Sequence, residues 1–240
     1  MHDIYKPIRS KSYSVSCEFC RIGPSICIPK LLENTLDNFI NRKKEIAKNQ
    51  VIVDEGTPLD KIYIINSGAV KTYITVNGKE QINGFYLPGD IIGLNSIHNL
   101  KYNNSVCALT NTLVCELKYN ELIGLVSQNT HMQNTLLKLM SEDIQDYQQL
   151  ILCFSQKNAE EKVATFIYSL YLRYARRGHI SLNIKLSMSR SDIANYLGLT
   201  IETISRILTR MQDLNILTAR GKYISIKDLS ALIKFAEYHK

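Results

Sequence analysis

Three cysteines lie within eleven residues near the start of the sequence: Cys17, Cys20 and Cys27. The segment around them contains a Gly-Pro pair and a second proline, so it is expected to turn repeatedly. In a reducing cytosol, clustered cysteines are expected to be metal ligands or redox thiols rather than a disulfide framework. A Cys-x2-Cys pair is typical of both zinc sites and iron–sulfur sites. A fourth ligand must then come from elsewhere, and the candidates are Cys107, Cys115 and Cys153.

A second group of polar residues lies near the C-terminus, on two consecutive helical segments. Ser189 precedes a helix predicted over residues 190–197, where Asp192 completes a capping box, and Gly198 ends the helix. Thr200 is expected to cap the next helix. The inward face of that helix is apolar and comprises Ile201, Ile204, Leu208 and Met211. Its outward face is polar and comprises Glu202, Ser205, Arg206 and Thr209.

A two-stranded wing is predicted over residues 216–226, with Gly221 between Arg220 and Lys222. Two helices joined by a tight glycine turn and followed by a wing are typical of a DNA-binding helix-turn-helix. Residues 157–240 carry 14 Lys and Arg against 7 Asp and Glu, whereas residues 1–156 carry 15 of each. The whole formal charge of +7 therefore lies in the last third, which predicts a nucleic-acid partner for that region.

A long helix is predicted from His131 to Phe154, between the two regions that could perform chemistry. Its apolar residues recur at the a and d spacing of a heptad: Leu137, Met140, Ile144, Tyr147, Ile151 and Phe154. Such a stripe either packs in the core of its own domain or forms the seam of a two-fold dimer. Three acidic residues beside it would face their own copies in a dimer: Glu142, Asp143 and Asp146. We therefore expect a marginal, switchable dimer seam.

The segment from Val51 to Leu125 is predicted to form a small β-barrel or roll. Asn77-Gly78 is the strongest hairpin signal, because both turn positions need positive φ. The predicted strands are short β-branched and aromatic runs: Lys61 to Ile65, Val70 to Val76, Gln81 to Leu87 and Thr112 to Lys118. A short amphipathic segment around Leu31 to Asn41 precedes them.

Two function classes are disfavoured. No apolar run is long enough to span a bilayer and the polar N-terminus does not resemble a signal peptide, so a cytoplasmic protein without membrane contact is expected. No paired carboxylates, nucleophile motif or phosphate loop appears and the five histidines are scattered, so an enzyme is not expected.

The order of these parts resembles the CRP/FNR family of bacterial transcription regulators, in particular its oxygen-responsive iron–sulfur branch. The resemblance runs from Cys17 to the C-terminus. It is strongest in Leu197-Gly198-Leu199-Thr200-Ile201-Glu202-Thr203-Ile204-Ser205-Arg206, Lys157-Asn158-Ala159-Glu160-Glu161, Phe166-Ile167-Tyr168 and Gly221-Lys222-Tyr223-Ile224. It implies an α+β protein with an N-terminal cyclic-nucleotide-binding-like β-roll, a long dimerisation helix and a C-terminal winged helix-turn-helix. The corresponding domains are residues 1–30 (cysteine-rich), 31–130 (β-roll), 131–157 (dimerisation helix) and 158–240 (DNA-binding).

The resemblance also implies a cofactor and partners. The family's ligands match Cys17, Cys20, Cys27 and Cys115, which would hold a [4Fe-4S] cluster. A homodimer with an intact cluster would bind double-stranded DNA at TTGAT and its inverted repeat, and would contact RNA polymerase. Regulation of anaerobic gene expression, as activator or repressor, is the expected function. A cluster-free or zinc-bound thiol redox sensor of the same fold is the alternative.

Base-edge chemistry assigns roles on the second helix. Arg206 is expected to contact guanine, Glu202 to accept from cytosine, and Ser205 to contact a neighbouring base. Five other residues are expected to contact phosphates: Arg190, Thr200, Arg210, Arg220 and Lys222.

Three departures from the family are evident. Six residues separate Cys20 from Cys27, one more than in the iron–sulfur branch, so the loop must bulge. Tyr147 replaces an acidic residue at the seam, which is expected to favour the dimer. No Arg follows Gly89-Asp90-Ile91-Ile92-Gly93 where cyclic-nucleotide sensors place one, so no cyclic nucleotide is expected to bind.

Overall fold

The computed structural model describes residues 12–13, 42–178 and 180–236. The chain forms two compact units. The first comprises Met1–Ile74 and Phe85–Met132, and the second comprises Thr75–Gly84 and Gln133–Lys240. The predictions for Cys17, Cys20, Cys27 and the segment around Leu31 to Asn41 lie outside the described residues.

The first antiparallel sheet has five strands in the order β1-β2-β9-β4-β7. Its strands are β1 (Ser12–Tyr13), β2 (Arg42–Ile46), β4 (Lys61–Ser67), β7 (Ile91–Ile92) and β9 (Thr112–Lys118). A second sheet has the order β3-β8-β5-β6. Its strands are β3 (Val51–Val53), β5 (Val70–Val76), β6 (Lys79–Tyr86) and β8 (Ser105–Ala108).

Turn chemistry sets two of the connections between these strands. Asn77 and Gly78 have φ of 52° and 75°, so the predicted tight hairpin between β5 and β6 is present. Gly68, between β4 and β5, has φ of 87°, and a Cβ there would lie 2.5 Å from Thr112 Oγ1. Only glycine fits this second turn, because a side chain would meet both a strained backbone and a neighbouring strand.

The core of the first unit consists of aliphatic side chains from both sheets. Ile65 and Val114, paired across β4 and β9, are fully buried, as are Val70 on β5 and Val106 on β8. The four strands predicted from sequence are confirmed. The structure adds β1, β2, β3, β7 and β8, which the pattern of residues did not predict.

Two helices follow β9 directly. The first is α1 (Tyr119–Gln128). Asn129 alone separates it from α2 (Thr130–Gln156), and the Asn129 side chain accepts a hydrogen bond from the Met132 amide. The long helix predicted from sequence is therefore present.

The second unit contains a winged helix-turn-helix. Its helices are α3 (Ala159–Arg176), α4 (Arg190–Leu197), α5 (Ile201–Asp213) and α6 (Leu229–Phe235). Its sheet has the order β10-β12-β11, with β10 (Asn183–Lys185), β11 (Leu217–Arg220) and β12 (Tyr223–Ile226). The predicted α+β fold with its β-roll, long helix and winged helix-turn-helix is confirmed. Across the described ranges, no helix is both long and apolar enough to cross a membrane.

Candidate nucleic-acid interface and cysteine site

Side-chain caps define both helices of the helix-turn-helix. The Ser189 hydroxyl accepts from the Asp192 amide at 3.0 Å, and the Asp192 carboxylate accepts from the Ser189 amide at 2.8 Å. Gly198 ends α4 with φ of 66°, and the Thr200 hydroxyl accepts from the Thr203 amide at 3.2 Å. The capping box, the glycine turn and the second cap are thus all present as predicted.

Helix α5 has an apolar face and a polar face. Its buried residues are Ile204, Ile207, Leu208 and Met211. Its exposed polar residues are Glu202, Ser205, Arg206 and Thr209, which share one side of the helix at i, i+3, i+4 and i+7. Ile201 was expected on the inward face but is 44% exposed. It is the first residue of α5 and lies beyond the packed part of the helix, whereas Ile207 fills the buried position.

The exposed face offers both hydrogen-bond acceptors and donors. The pKa of the Glu202 carboxyl is lowered, first by a hydrogen bond from its own backbone amide and then by the Thr200 hydroxyl. Glu202 is therefore a charged acceptor in the first turn of α5. Arg206, one turn later, offers a forked set of donors. This combination suits the donor and acceptor pattern of base edges in a major groove.

The residues predicted to contact phosphates differ in what they already bind. Arg190 begins α4 and donates through Nη2 to the Gly221 carbonyl oxygen at 3.3 Å, and burial lowers the pKa of its guanidinium. Arg210 pairs with Glu160 on α3, so a phosphate would compete with that carboxylate. Thr200 is engaged as the cap of α5. These contacts make Arg190 and Arg210 structural cross-links as well as candidate anion contacts.

The wing presents the remaining candidates. Arg220 and Lys222 are exposed on either side of Gly221, whose φ is 57°. Lys222 Nζ lies 3.5 Å from the Ser187 carbonyl oxygen. A further cation that sequence reasoning missed is Lys185 on β10, whose Nζ lies 5.7 Å from the centroid of the Tyr223 ring. Only the strand pairing brings this lysine to the wing, so spacing along the chain gave no signal for it.

The apolar stripe of α2 is largely uncovered in the single chain. Leu137 and Ile151 are each 65% exposed, and Ile144 is 57% exposed. Tyr147 is also exposed, and Met140 is half-buried. The alternative that these residues form the core of their own domain is not supported for the exposed members. Burying such a stripe against a partner would remove a large apolar area from water.

Phe154, the last predicted seam residue, already has partners within its own chain. Its ring lies 6.2 Å from the ring of Tyr196 on α4, in an edge-to-face arrangement, and Lys162 Nζ lies 5.6 Å from its centroid. The end of the stripe therefore contacts the helix-turn-helix, and only part of Phe154 remains exposed.

Cys115 is buried in β9, in the same sheet as β1. Across that sheet Cys115 is paired with Lys43 on β2, and Lys43 is paired with Tyr13 on β1. Adjacent strands lie about 4.8 Å apart, which puts the Cα atoms of Tyr13 and Cys115 roughly 10 Å apart. Cys17 follows Tyr13 by four residues, a length that spans at most about 14 Å. The chain is thus long enough for the N-terminal cysteines to reach Cys115.

The other two cysteines lie elsewhere. Cys107 is buried on β8, in the second sheet. Cys153 is buried on α2, where burial raises the pKa of its thiol. Within the part of the chain that the structure describes, no three His, Cys, Asp or Glu residues form a metal site. Of the four cysteines predicted as cluster ligands, Cys115 is the one that lies among the described residues. Four cysteine thiolates are the donor set typical of an iron–sulfur group.

The segment between β7 and β8 packs closely against β4. Gly93 has φ of 106°, and a Cβ there would lie 2.9 Å from Ile62 Cδ1. Tyr102 is buried, and its hydroxyl donates to the Lys61 carbonyl oxygen at 2.5 Å. The expectation that no cyclic nucleotide binds stays a prediction.

Comparison with known proteins agrees with this arrangement. A family model for a cyclic nucleotide-binding domain matches residues 43–129, and one for a Crp-like helix-turn-helix domain matches residues 161–235. The chain is 43% identical over 238 residues to the fumarate and nitrate reduction regulatory protein of Yersinia pestis, which covers 97% of this chain and 95% of that protein. It is 42% identical over 238 residues to the anaerobic regulatory protein of Pasteurella multocida, covering 97% and 87%.

A solved structure supports the same assignment. FixK2 from Bradyrhizobium japonicum has a TM-score of 0.75 and 28% identity to this chain, covering 82% of this chain and 98% of that one. Relatives above 40% identity along nearly the whole length, together with the two domain matches, show that the chain belongs to the CRP/FNR family of DNA-binding transcription regulators.

Proposed function

We propose that this regulator responds to oxygen through a [4Fe-4S] cluster and controls anaerobic gene expression at inverted-repeat DNA sites. The names of its relatives refer to anaerobic regulation and to fumarate and nitrate reduction. The observation that carries the proposal furthest is the register Tyr13–Lys43–Cys115, in which β1, four residues before Cys17 in the sequence, lies two strands from a buried cysteine.

Cys17, Cys20, Cys27 and Cys115 would hold the cluster. A bound [4Fe-4S] cluster supplies an oxygen-sensitive centre with a local negative charge. Cys115, buried in β9, would provide the fixed ligand and keep its thiolate away from bulk water. The buried Lys43, its cross-strand neighbour, adds a positive charge close to the ligands.

A short path through the chain connects Cys115 to the proposed dimer helix. Lys118, three residues after Cys115, is the N-cap of α1, and Asn129 alone separates α1 from α2. A shift of β9 when Cys115 is released would be passed along the chain through α1 to α2. Since the seam is marginal, a few kcal/mol is enough to move it between mostly dimer and mostly monomer.

The dimer would read DNA with two copies of α5. Arg206 would donate to guanine, Glu202 would accept from cytosine, and Ser205 would contact a neighbouring base. Arg220 and Lys222 at the wing tip are the best-placed phosphate contacts, because both are exposed. An RNA polymerase contact is part of the same proposal, and it follows from the family to which the chain belongs.

Anaerobic reconstitution with iron and sulfide tests the cluster. We would compare the wild-type chain with Cys115→Ala and with the matched control Cys107→Ala, which also removes a buried cysteine but lies in the second sheet. Iron and acid-labile sulfide, visible absorption and mass in solution would be measured before and after exposure to air.

The proposal expects about four iron and four sulfide per wild-type and Cys107→Ala chain, and their loss in Cys115→Ala. It also expects the dimer to become monomer as the colour bleaches in air. A colourless protein that is dimeric under both conditions would overturn the oxygen switch. Bound zinc without sulfide would instead support the thiol-sensor alternative.

A further inference from the structure

The β5–β6 hairpin tip contacts α4 at Asn195, and both lie within the second unit. Asn195 on α4 donates through Nδ2 to the Glu80 carbonyl oxygen at 2.8 Å, and its Oδ1 accepts from the Ile82 amide at 2.7 Å. Gln81 Nε2 donates to the Asn195 carbonyl oxygen at 3.0 Å. The Asn195 side chain therefore binds Glu80 and Ile82, and its backbone carbonyl binds Gln81, so that three consecutive residues of the hairpin are held.

The strand geometry explains why an asparagine is suited to this contact. Among the described strands, β6 is the last of its sheet, so every second residue directs its backbone amide and carbonyl away from β5. Glu80 and Ile82 are two residues apart and point in the same direction. A carboxamide carries one acceptor and two donors and can pair with both groups as a neighbouring strand would.

The next residue of α4 is bound on a different side. The Tyr196 ring lies 6.2 Å from that of Phe154 on α2 and 5.8 Å from that of Phe166 on α3. Burial raises the pKa of the Tyr196 hydroxyl to about 12. Helix α4 is therefore fastened by aromatic packing at Tyr196 and by hydrogen bonds at Asn195. The contacts of Asn195 are polar and partly accessible, so they are the more easily exchanged of the two.

We propose that Asn195 is a positioning residue that fixes the helix-turn-helix to the hairpin of residues 75–84 and thereby orients α5 for DNA. This inference rests on the proposed DNA-reading function. Helix α4 packs directly against α5. Movement of α4 would therefore change the orientation of the polar face of α5. A helix that is already held in place loses less conformational freedom when it binds, which strengthens affinity without a new contact to DNA.

A graded set of variants in the full-length chain tests this role. Gln81→Ala removes one hydrogen bond, Asn195→Asp keeps the acceptor but removes the donor, and Asn195→Ala removes both side-chain bonds. Lys79→Ala is the matched control, because it alters an exposed side chain of the same hairpin and leaves the backbone contacts in place. Each variant would be reconstituted anaerobically, and its circular dichroism and mass in solution compared with wild type before binding is measured.

Two quantities are then measured: hydrogen exchange at the Ile82 amide, and affinity for a TTGAT inverted repeat together with its single-base variants. Asn195→Ala should accelerate hydrogen exchange at the Ile82 amide and weaken DNA binding about tenfold. Asn195→Asp should lie between Asn195→Ala and wild type. Gln81→Ala and Lys79→Ala should both be close to wild type. The order of affinities for the single-base variants should not change, because Asn195 orients α5 and does not itself contact bases.

Three results would overturn the proposal. Faster exchange at Ile82 with unchanged DNA affinity would mean that the contact does not position α5. Tighter DNA binding by Asn195→Ala would mean that the contact holds α5 in an orientation that disfavours binding. An altered ranking of bases would make Asn195 a base-reading residue. Failure of the wild-type chain to bind the inverted repeat would count against the proposed function itself, and the exchange data would separate the two cases.

Discussion

Arg206 and Lys222 are both exposed cations of the winged helix-turn-helix, but their expected contributions to DNA binding differ in kind. Arg206 lies on the polar face of α5 beside Ser205, where a guanidinium can donate twice to one guanine. Lys222 lies at the tip of the wing, where an ammonium can neutralise a phosphate of any sequence.

Arg206→Ala is therefore expected to cost about 1–3 kcal/mol and to relax preference at one base pair of each half-site. Lys222→Ala is expected to weaken binding to all sequences alike and to reduce the slope of log K against log salt by about 1 per chain. Binding-site selection and fluorescence anisotropy over a salt series measure the two effects. The assignments fail if Arg206→Ala leaves the selected sequence unchanged or if Lys222→Ala alters it.

Helix α2 carries large apolar side chains that are exposed in the single chain, so a partner is expected to cover it. Ile144 lies near the middle of the stripe and is 57% exposed in the single chain. Ile144→Glu would place two carboxylates against each other at a two-fold seam and would lose about 1.5–3 kcal/mol of apolar burial for each side chain. We expect the variant to be monomeric at concentrations where the anaerobic wild-type chain is dimeric, as measured by sedimentation.

Gln149→Glu is the matched control, because it adds the same charge at an exposed site of α2 away from the stripe. It should leave the mass in solution unchanged. If both variants dimerise like wild type, the stripe is not the seam, and another surface must join the two chains.

The same helices show which elements could be predicted from the sequence. Caps and apolar periodicity are local signals, so α4, α5 and their glycine turn were predicted closely. β2 was not predicted, because its residues Arg42–Ile46 are mostly charged and show no alternation. Its strand conformation comes from pairing with β9 over five residues, which is a tertiary contact. β7 and β10 were missed for a similar reason, since two or three residues are too few to form a pattern.

The candidate sites, like the elements, were predicted where local signals sufficed and missed where tertiary contacts were needed. The polar face of α5 follows from helical spacing, and the structure places all its members on one exposed surface. Spacing could not choose among the three cysteines outside the N-terminal cluster, because the choice depends on which strand or helix each one lies on. It also could not anticipate that Asn195 meets a hairpin more than a hundred positions away in the chain.

At the scale of the whole molecule, DNA reading and dimerisation are joined in one continuous chain. The excess of positive charge lies after residue 156, while the exposed apolar stripe lies before it. One winged helix-turn-helix would bind one half-site weakly. Two copies held by α2 would bind an inverted repeat with an avidity that can exceed single-site affinity by roughly 10²–10⁴-fold.

This arrangement predicts a dependence on half-site spacing that only a dimer can show. Insertion of about five base pairs between the half-sites turns one of them to the opposite face of the duplex, because B-DNA repeats about every 10.5 base pairs. The anaerobic wild-type chain should then lose most of its affinity, whereas Ile144→Glu should bind the two DNAs equally and weakly. Gel-shift titrations of both proteins on both DNAs measure this. If the wild-type chain binds both spacings equally, each winged helix acts alone, and control through dimerisation is excluded.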